Sequence, residues 1–186
     1  MRSTRLDTKL APKRATLAAM RVEYIQRFAA LDAKLADTEC YICNGSEGPL
    51  ACTNAKLLIC GHACHDACDM KAGRMQMEQF QNALNGQDTD APLTEAAIGL
   101  RCGFCRYKRA GNDGFDLFLL RMKILSGTSA FKCSSIHNVE REWTGRVRML
   151  QSLSDKLSLC EGTFDKTYTP DRPYPSEHFE QGCTVM

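Results

Sequence analysis

CGHACHDAC, residues 60–68, is the densest run of cysteine and histidine in the chain, with three cysteines and two histidines in nine positions. A CxxC pair stands on either side of it: CYIC at residues 40–43 and CGFC at residues 102–105. Sixteen residues separate the first pair from the central run, and 33 separate the central run from the last pair. This spacing is typical of metal ligands rather than of cysteines scattered through a core.

The metal-ligating candidates form four pairs. They are Cys40 with Cys43, Cys60 with His62, His65 with Cys68, and Cys102 with Cys105. A CxxC knuckle lets two thiolates approach one zinc ion at about 2.3 Å, and an imidazole nitrogen binds at about 2.0 to 2.1 Å. Four pairs make two tetrahedra of four protein ligands each, so we expect two structural zinc ions with no open position. The pairs can share the ions serially or in alternation.

These residues have two other interpretations. Cys64 could replace His65 as a ligand, but only one residue would then separate it from His62, which is tight for ligands of different ions. A cysteine beside a histidine could also be a catalytic nucleophile. Ligation would occupy the lone pairs that such a nucleophile needs, so the metal interpretation is favoured.

Composition limits the classes of function. Eleven cysteines occur in 186 residues. The basic start of the chain lacks the apolar segment of a secretory signal, so we expect a reducing compartment, where cysteines bind metal more often than they form disulfides. The longest apolar stretch, residues 115–125, is too short to span a bilayer. The formal charge of +2 becomes about 0 when six thiolates and two zinc ions are included, which argues against non-specific nucleic-acid binding.

The order and spacing of the eight ligands resemble the two-histidine variant of the RING finger. The resemblance covers about 70 residues and implies a cross-brace, in which the first and third pairs share one ion and the second and fourth share the other. A PHD finger would need a histidine four or five residues after its fourth ligand, which no pairing supplies. The implied fold class is α+β: a small zinc-binding cross-brace flanked by α-helices, and mostly helical outside it.

The resemblance also implies an activity, that of a RING-type ubiquitin ligase. Such a protein binds a ubiquitin-charged conjugating enzyme and promotes transfer to a protein substrate, which this sequence does not identify. Ile42 matches the apolar residue that enters the groove of the conjugating enzyme. Arg106 matches the arginine that contacts both ubiquitin and the enzyme, and it is the catalytic candidate.

The chain departs from the family pattern at two positions of the implied conjugating-enzyme surface. Ala72 stands where many active members have tryptophan, and Gly103 stands where they have proline, with Phe104 beside it. We therefore expect a smaller contact with the conjugating enzyme, because loss of a tryptophan anchor can cost about 2 kcal/mol of binding free energy. The alternative function is therefore a non-catalytic, zinc-dependent scaffold for protein interactions.

Helical periodicity flanks the metal-binding region. The first helix is expected from about Pro12, in its first turn, with an apolar stripe at Leu17, Met20, Tyr24, Phe28, Leu31 and Leu35. A helix inside the zinc module should place Met70, Met77, Phe80 and Leu84 on one face. Asn112 or Asp113 is expected to cap a short helix to Leu125, and a longer helix opened by Asn138 carries Val139, Trp143, Val147, Leu150, Leu153 and Leu157.

These patterns divide the chain into four regions. Residues 1–37 form a basic amphipathic helix, residues 38–109 the zinc module, residues 112–160 a helical region that packs with the first helix, and residues 161–186 a flexible tail. The matching apolar faces predict packing within one chain or in a homodimer. Cys52, Cys133 and Cys160 are expected to be small apolar residues in or near packed surfaces.

The last four residues, CTVM from Cys183, fit a CaaX prenylation box, and a final methionine favours farnesyl. A prenyltransferase is thus an expected partner. One lipid gives marginal anchoring, and the second contact is expected from the first helix, whose cations are Arg2, Arg5, Lys9, Lys13, Arg14 and Arg21. The prediction is a protein of the eukaryotic cytosol, at the cytoplasmic face of a membrane.

Overall fold

The computed structural model describes residues 2–85, 102–105 and 114–167. Its elements are α1 (Arg2–Ala36), β1 (Ala55–Leu57), β2 (Ala63–His65), α2 (Asp66–Asn85), β3 (Phe115–Asp116), α3 (Leu117–Gly127) and α4 (Ile136–Thr167). The described residues are mostly helical, with one small antiparallel sheet. None of the described helices is long and apolar enough to cross a membrane.

The three flanking helices pack on one another, as their apolar stripes predict. α1 contacts α3 and α4, and α3 contacts α4. The buried side chains of α1 are Leu10, Leu17, Tyr24, Phe28, Leu31 and Leu35, and those of α4 are Val139, Leu150, Leu153, Leu157, Cys160 and Phe164. At Gly127 the helices approach so closely that an added Cβ would lie 2.9 Å from Leu150 Cδ2. Glycine is therefore the residue that this crossing accommodates.

Polar contacts join α1 to α4 on the same side. The guanidinium of Arg27 donates two hydrogen bonds to Glu161, at 3.1 and 2.7 Å, and others to Ser154 and Ser158. The hydrogen bond and charge of Glu161 raise the pKa of Arg27 further above its ordinary value. Near the other end of the helix, Lys13 donates to Glu140 at 3.1 Å.

The helix ends differ from the sequence prediction. α1 begins at Arg2, so Pro12 lies inside the helix and not in its first turn, where it removes one backbone donor. Burial of the α1 stripe outweighs this local cost. The α3 cap is Asp116, which accepts from the Leu119 amide at 2.8 Å, and not Asn112 or Asp113, which lie outside the described residues.

α4 also begins and ends elsewhere than predicted. Ser135 Oγ accepts from the Asn138 amide at 3.3 Å, so the serine caps the helix and Asn138 lies within it. The helix then continues to Thr167, through residues assigned to the tail, because Cys160 and Phe164 extend its buried face. The remainder of the predicted tail lies outside the described residues.

The sheet joins the metal-binding region to the helices. Its strand order is β2-β1-β3, with Leu57 of β1 opposite Ala63 of β2 on one side and Phe115 of β3 on the other. β3 leads directly into α3, so it comes from the region predicted as a separate helical domain. Nearby, the Cys52 amide donates to Asp32 of α1 at 2.5 Å. The zinc-module region and the helices therefore share one core.

The remaining expectations about apolar residues are partly corrected. Cys52 and Cys160 are fully buried, and Cys133 is half-buried with its thiol donating a hydrogen bond to Glu142. Met70 and Met77, predicted on the packed face of α2, are each 52% exposed. The buried side chains at the start of α2 are instead Cys68 and Asp69, at 8% and 7% exposed, on the helix that contacts β1 and β2.

Candidate metal centre

The first ligand pair lies in a turn immediately after α1. The Asn44 amide donates to the Cys40 carbonyl at 2.8 Å, and the Ser46 amide donates to the Cys43 carbonyl at 3.1 Å. Asn44 and Gly45 have φ angles of 50° and 80°, in the left-handed region that asparagine and glycine tolerate best. This knuckle directs both thiols to one side.

The central ligands are arranged by a tight hairpin between β1 and β2. Gly61, at φ 85°, donates to the Leu58 carbonyl at 2.8 Å and lets the chain reverse between Cys60 and His62. His65 is the last residue of β2, and Cys68 follows in the first turn of α2. The hairpin and the strand–helix junction thus hold two ligand pairs on either side of a three-residue strand.

The strand also distinguishes Cys64 from His65. Successive side chains of a strand point to opposite faces. His65 is turned toward the other ligands, while Cys64 is fully buried, with its thiol 3.9 Å from the Lys56 carbonyl. The structure therefore groups His65, and not Cys64, with the other candidate ligands.

The eight side chains come together in two groups of four. One group is Cys40, Cys43, His65 and Cys68, and the other is Cys60, His62, Cys102 and Cys105; within each, the candidate ligand atoms lie within 4.8 Å of one another. The groups alternate along the chain, pair one with pair three and pair two with pair four. This is the interleaved arrangement that the resemblance implies, and each group offers three sulfurs and one nitrogen.

The distances within each group fit a tetrahedral ion. Metal distances of about 2.3 Å to sulfur and 2.1 Å to nitrogen require about 3.6 Å between the two ligand atoms. His65 Nδ1 lies 3.5 Å from Cys43 Sγ and 3.7 Å from Cys68 Sγ. His62 Nδ1 lies 3.4 Å from Cys60 Sγ. Both groups can therefore hold a thiophilic divalent ion such as zinc.

This chain matches no protein-family model, no curated protein and no solved structure. The site is accordingly interpreted from its own geometry.

Both histidines present Nδ1 to the sulfur atoms, so a metal bound there would set their tautomer. A metal on Nδ1 leaves the proton on Nε2. In His65 this Nε2 is buried and has no hydrogen-bond partner among the described residues. The bond from Nδ1 to the metal would thus offset the cost of burying an unpaired N–H group.

The electrostatic surroundings favour thiolates at two of the ligands. The pKa of the Cys43 thiol is lowered to about 6, mainly by a hydrogen bond with the Glu47 backbone. A hydrogen bond with Cys60 is the largest cause that lowers the pKa of Cys102 to about 3. The thiolate is the form that binds metal. The hydrogen bond with Cys102 raises the pKa of Cys60, and burial raises the pKa of Cys68, so metal binding would displace protons from these two thiols.

The structure brings together only some of the residues that the resemblance assigns to binding of a conjugating enzyme. A Cβ added at Gly103 would lie 3.1 Å from the Tyr41 ring, so residues 41–42 and 103–104 adjoin. Phe104 is 51% exposed and its ring centroid lies 4.8 Å from that of His62. Ile42 is half-buried against the core, and Ala72 is half-buried on α2. Arg106 and Cys183 lie outside the described residues.

A supporting ion pair was not predicted from the sequence. Lys56 of β1 donates to Asp69 of α2 at 2.8 Å, with side chains only 12% and 7% exposed. Asp69 follows Cys68, so the pair holds the first turn of α2 against the sheet. No sequence signal identifies it, because 13 residues separate the partners and neither belongs to a motif.

Proposed function

We propose that this protein is a RING-type ubiquitin ligase with two structural zinc ions. The interleaved grouping of the eight ligands is the observation that carries the proposal. Serial zinc fingers would group neighbouring pairs, whereas a cross-brace groups alternate pairs, as seen in the described residues. Four protein ligands complete each tetrahedron, so the ions would serve as structural crosslinks.

The surface around residues 41–42 and 103–104 supports binding of a conjugating enzyme. The two ligand knuckles that carry these residues belong to different metal groups, and the cross-brace makes them neighbours. Phe104 offers a half-exposed aromatic ring beside them. An aromatic side chain next to an apolar residue is the composition expected for the core of a protein interface.

The proposed chemistry is orientation of a reactive thioester. The chain would bind the charged conjugating enzyme through Ile42 and Phe104, and Arg106 would donate hydrogen bonds to the enzyme and to ubiquitin. Planar, multi-donor guanidinium suits a group that bridges two proteins. Holding the thioester in its reactive geometry lowers the entropic part of the barrier, and the ligase itself forms no covalent intermediate.

The test is autoubiquitination of the zinc-loaded chain with activating enzyme, ubiquitin, ATP and a panel of conjugating enzymes. Ile42→Ala should lower the rate about tenfold, because one apolar interface anchor contributes about 1 to 2 kcal/mol. Ile59→Ala is the matched control, since Ile59 also immediately precedes a ligand and is 48% exposed. Arg106→Ala should lower the rate with little change in enzyme binding.

The alternative is a zinc-dependent scaffold without catalysis. Its support is the small size of Ala72 and Gly103 where the family pattern has large groups. If no conjugating enzyme gives chain formation, or if Ile42→Ala and Arg106→Ala leave it unchanged, the ligase proposal fails and the scaffold replaces it. Zinc content must equal two ions in every variant compared.

A converse variant tests whether Ala72 faces the enzyme. Ala72→Trp should tighten binding of the conjugating enzyme, by up to the roughly 2 kcal/mol of a tryptophan anchor. Gly103→Pro is a less direct test, because its Cβ would press on Tyr41 at 3.1 Å. Unchanged affinity in Ala72→Trp would show that this part of α2 does not contact the enzyme.

The proposed location is the cytoplasmic face of a eukaryotic membrane, through farnesyl on Cys183. The structure reduces the expected basic contribution of α1. Lys13 is paired with Glu140 and lies 4.9 Å from the centroid of the Trp143 ring, with its side chain 17% exposed. That cation is engaged within the protein, so the remaining α1 cations would supply the attraction to anionic lipid.

A further inference from the structure

α1 carries a second apolar surface that none of the described residues covers. At 100° per residue, eight uncharged positions project within about 80° of arc, on the side of α1 away from α4. They are Ala11, Ala15, Ala18, Val22, Ile25, Ala29, Ala33 and Ala36, and all are exposed. Between residues 11 and 36 no charged side chain projects within this arc.

α3 extends this surface along one edge. Arg121 of α3 lies 3.9 Å from the Asp32 carboxylate and 5.9 Å from the centroid of the Phe28 ring, so α3 runs beside that edge of α1. The exposed apolar side chains here are Phe118, Leu119 and Met122 of α3, at 44 to 50%, with Val22 and Ile25 of α1, at 55 and 44%. Exposed apolar side chains on two neighbouring helices are candidates for an interaction site.

The positions on α1 are symmetric about their own midpoint. The midpoint between Ala11 and Ala36 falls between residues 23 and 24, and Val22 and Ile25 lie on either side of it. Ala18 and Ala29 are also equidistant from that point. The two large side chains thus stand at the centre, and small ones continue outward in both directions.

We propose that this surface, which we call the α1–α3 face, binds the same face of a second copy, with the two α1 helices antiparallel. A two-fold axis through the midpoint would place Val22 against Ile25 of the second copy and Ala18 against its Ala29. An isologous interface needs such self-complementarity. Alanine on both sides would allow the helix backbones to approach closely. The proposal is independent of the ligase function.

The charges beside the face are complementary under the same symmetry. Arg14 and Asp32 project on the same edge, at nearly equal distances from the midpoint. The antiparallel arrangement would bring Arg14 of one copy to Asp32 of the other, twice per dimer, where Arg14 would add a second cation to a carboxylate that already contacts Arg121 and the Cys52 amide of its own chain. A parallel arrangement would place Arg14 beside Arg14 and Asp32 beside Asp32, which like-charge repulsion disfavours.

The size of the face predicts a weak dimer. Twenty-five residues of helix extend about 37 Å, and a width of about 10 Å gives a footprint of about 400 Å². A standard interface buries about 800 Å² per partner. The three exposed side chains of α3 bring the total toward that value, so we expect a dissociation constant in the micromolar range.

Sedimentation equilibrium of the zinc-loaded, unprenylated full chain tests the proposal between about 1 and 200 µM, around the expected dissociation constant. The mass should rise toward twice the 20.7 kDa of one chain. Val22→Lys and Ile25→Glu should each weaken association at least a hundredfold and stay near one chain mass at concentrations where the unsubstituted chain is dimeric. Leu159→Lys, at a 60% exposed apolar position on α4, is the control and should dimerise normally.

An equimolar mixture of Val22→Lys and Ile25→Glu distinguishes an antiparallel from a parallel pair of α1 helices. Only the antiparallel register places the new lysine opposite the new glutamate, so the mixture should recover the dimer that neither variant forms alone. Recovery would not occur in a parallel pair. The proposal is overturned if the unsubstituted chain stays at one chain mass, if Val22→Lys still dimerises, or if the mixture fails to recover.

Flotation with phosphatidylserine vesicles tests a lipid occupant of the same face. The unsubstituted chain should dimerise without binding these vesicles more strongly than Val22→Lys does. A monomeric chain that floats with vesicles and is released by Ile25→Glu would assign the α1–α3 face to membrane and refute self-association.

Discussion

Replacement of a single ligand should remove one metal ion and leave the other. Each group of four shares no residue with the other group, so His65→Ala should disrupt only the group that includes Cys43 and Cys68. Structural zinc sites contribute about 10 to 16 kcal/mol. One ligand of four then corresponds to about 2.5 to 4 kcal/mol, which lowers the affinity of that site roughly 10² to 10³-fold.

Cys64→Ala is the matched control, because it changes the neighbouring residue on the opposite face of β2. It removes a buried thiol that lies 3.9 Å from the Lys56 carbonyl and hydrogen-bonds with Tyr41 but belongs to neither ligand group, so both ions should remain. Zinc is measured by mass spectrometry after competition with a graded series of chelators. Loss of an ion in Cys64→Ala, or two ions of unchanged affinity in His65→Ala, would refute the assignment of His65.

The remaining predictions concern stability and location. Chelation of both ions should abolish hydrogen-exchange protection in β1 and β2 while helical circular dichroism from α1 and α4 largely persists, because Arg27 and the apolar stripes join those helices directly. Arg27→Ala should lower the free energy of unfolding by about 2 kcal/mol, and the Tm by about 4 to 8 °C, with Arg27→Lys intermediate; an unchanged Tm would contradict this. Cys183→Ser should move the protein from membrane to cytosolic fractions in eukaryotic cells, and retention at high salt would argue against prenylation.

The candidate metal ligands that cluster in the structure were predictable because ligand spacing is a local property. CxxC and the His62 to His65 run fall at intervals that hairpins and helix starts impose, so eight positions could be named, whereas their alternate grouping was anticipated only from the family resemblance. The choice between Cys64 and His65 needed the observed direction of β2, because both residues have suitable donors. Lys56 and Asp69 could not be paired in advance, since long-range ion pairs leave no pattern in one sequence.

The sequence predicted which faces of the helices are buried, but not where the helices begin and end. Most of the stripe from Leu17 to Leu35 and of the stripe from Val139 to Leu157 is buried as expected, with Met20, Trp143 and Val147 half-buried, because periodicity reflects burial directly. Helix ends depend on single hydrogen bonds, so Asp116 and Ser135 replaced the predicted caps. The two-residue β3 was not predicted at all, because so short a strand has no periodicity and forms only by pairing with β1.

The pairing of α1 with α4 has a consequence for synthesis on the ribosome. Arg27 and Glu161 lie 134 residues apart, so α1 emerges long before the helix that covers it. At about 5 to 20 residues per second, its apolar stripe waits roughly 7 to 27 seconds for that partner. During this interval the side chains of Leu17, Tyr24 and Phe28 are available for chaperones to bind. A truncated nascent chain that ends before α4 is expected to aggregate or be degraded.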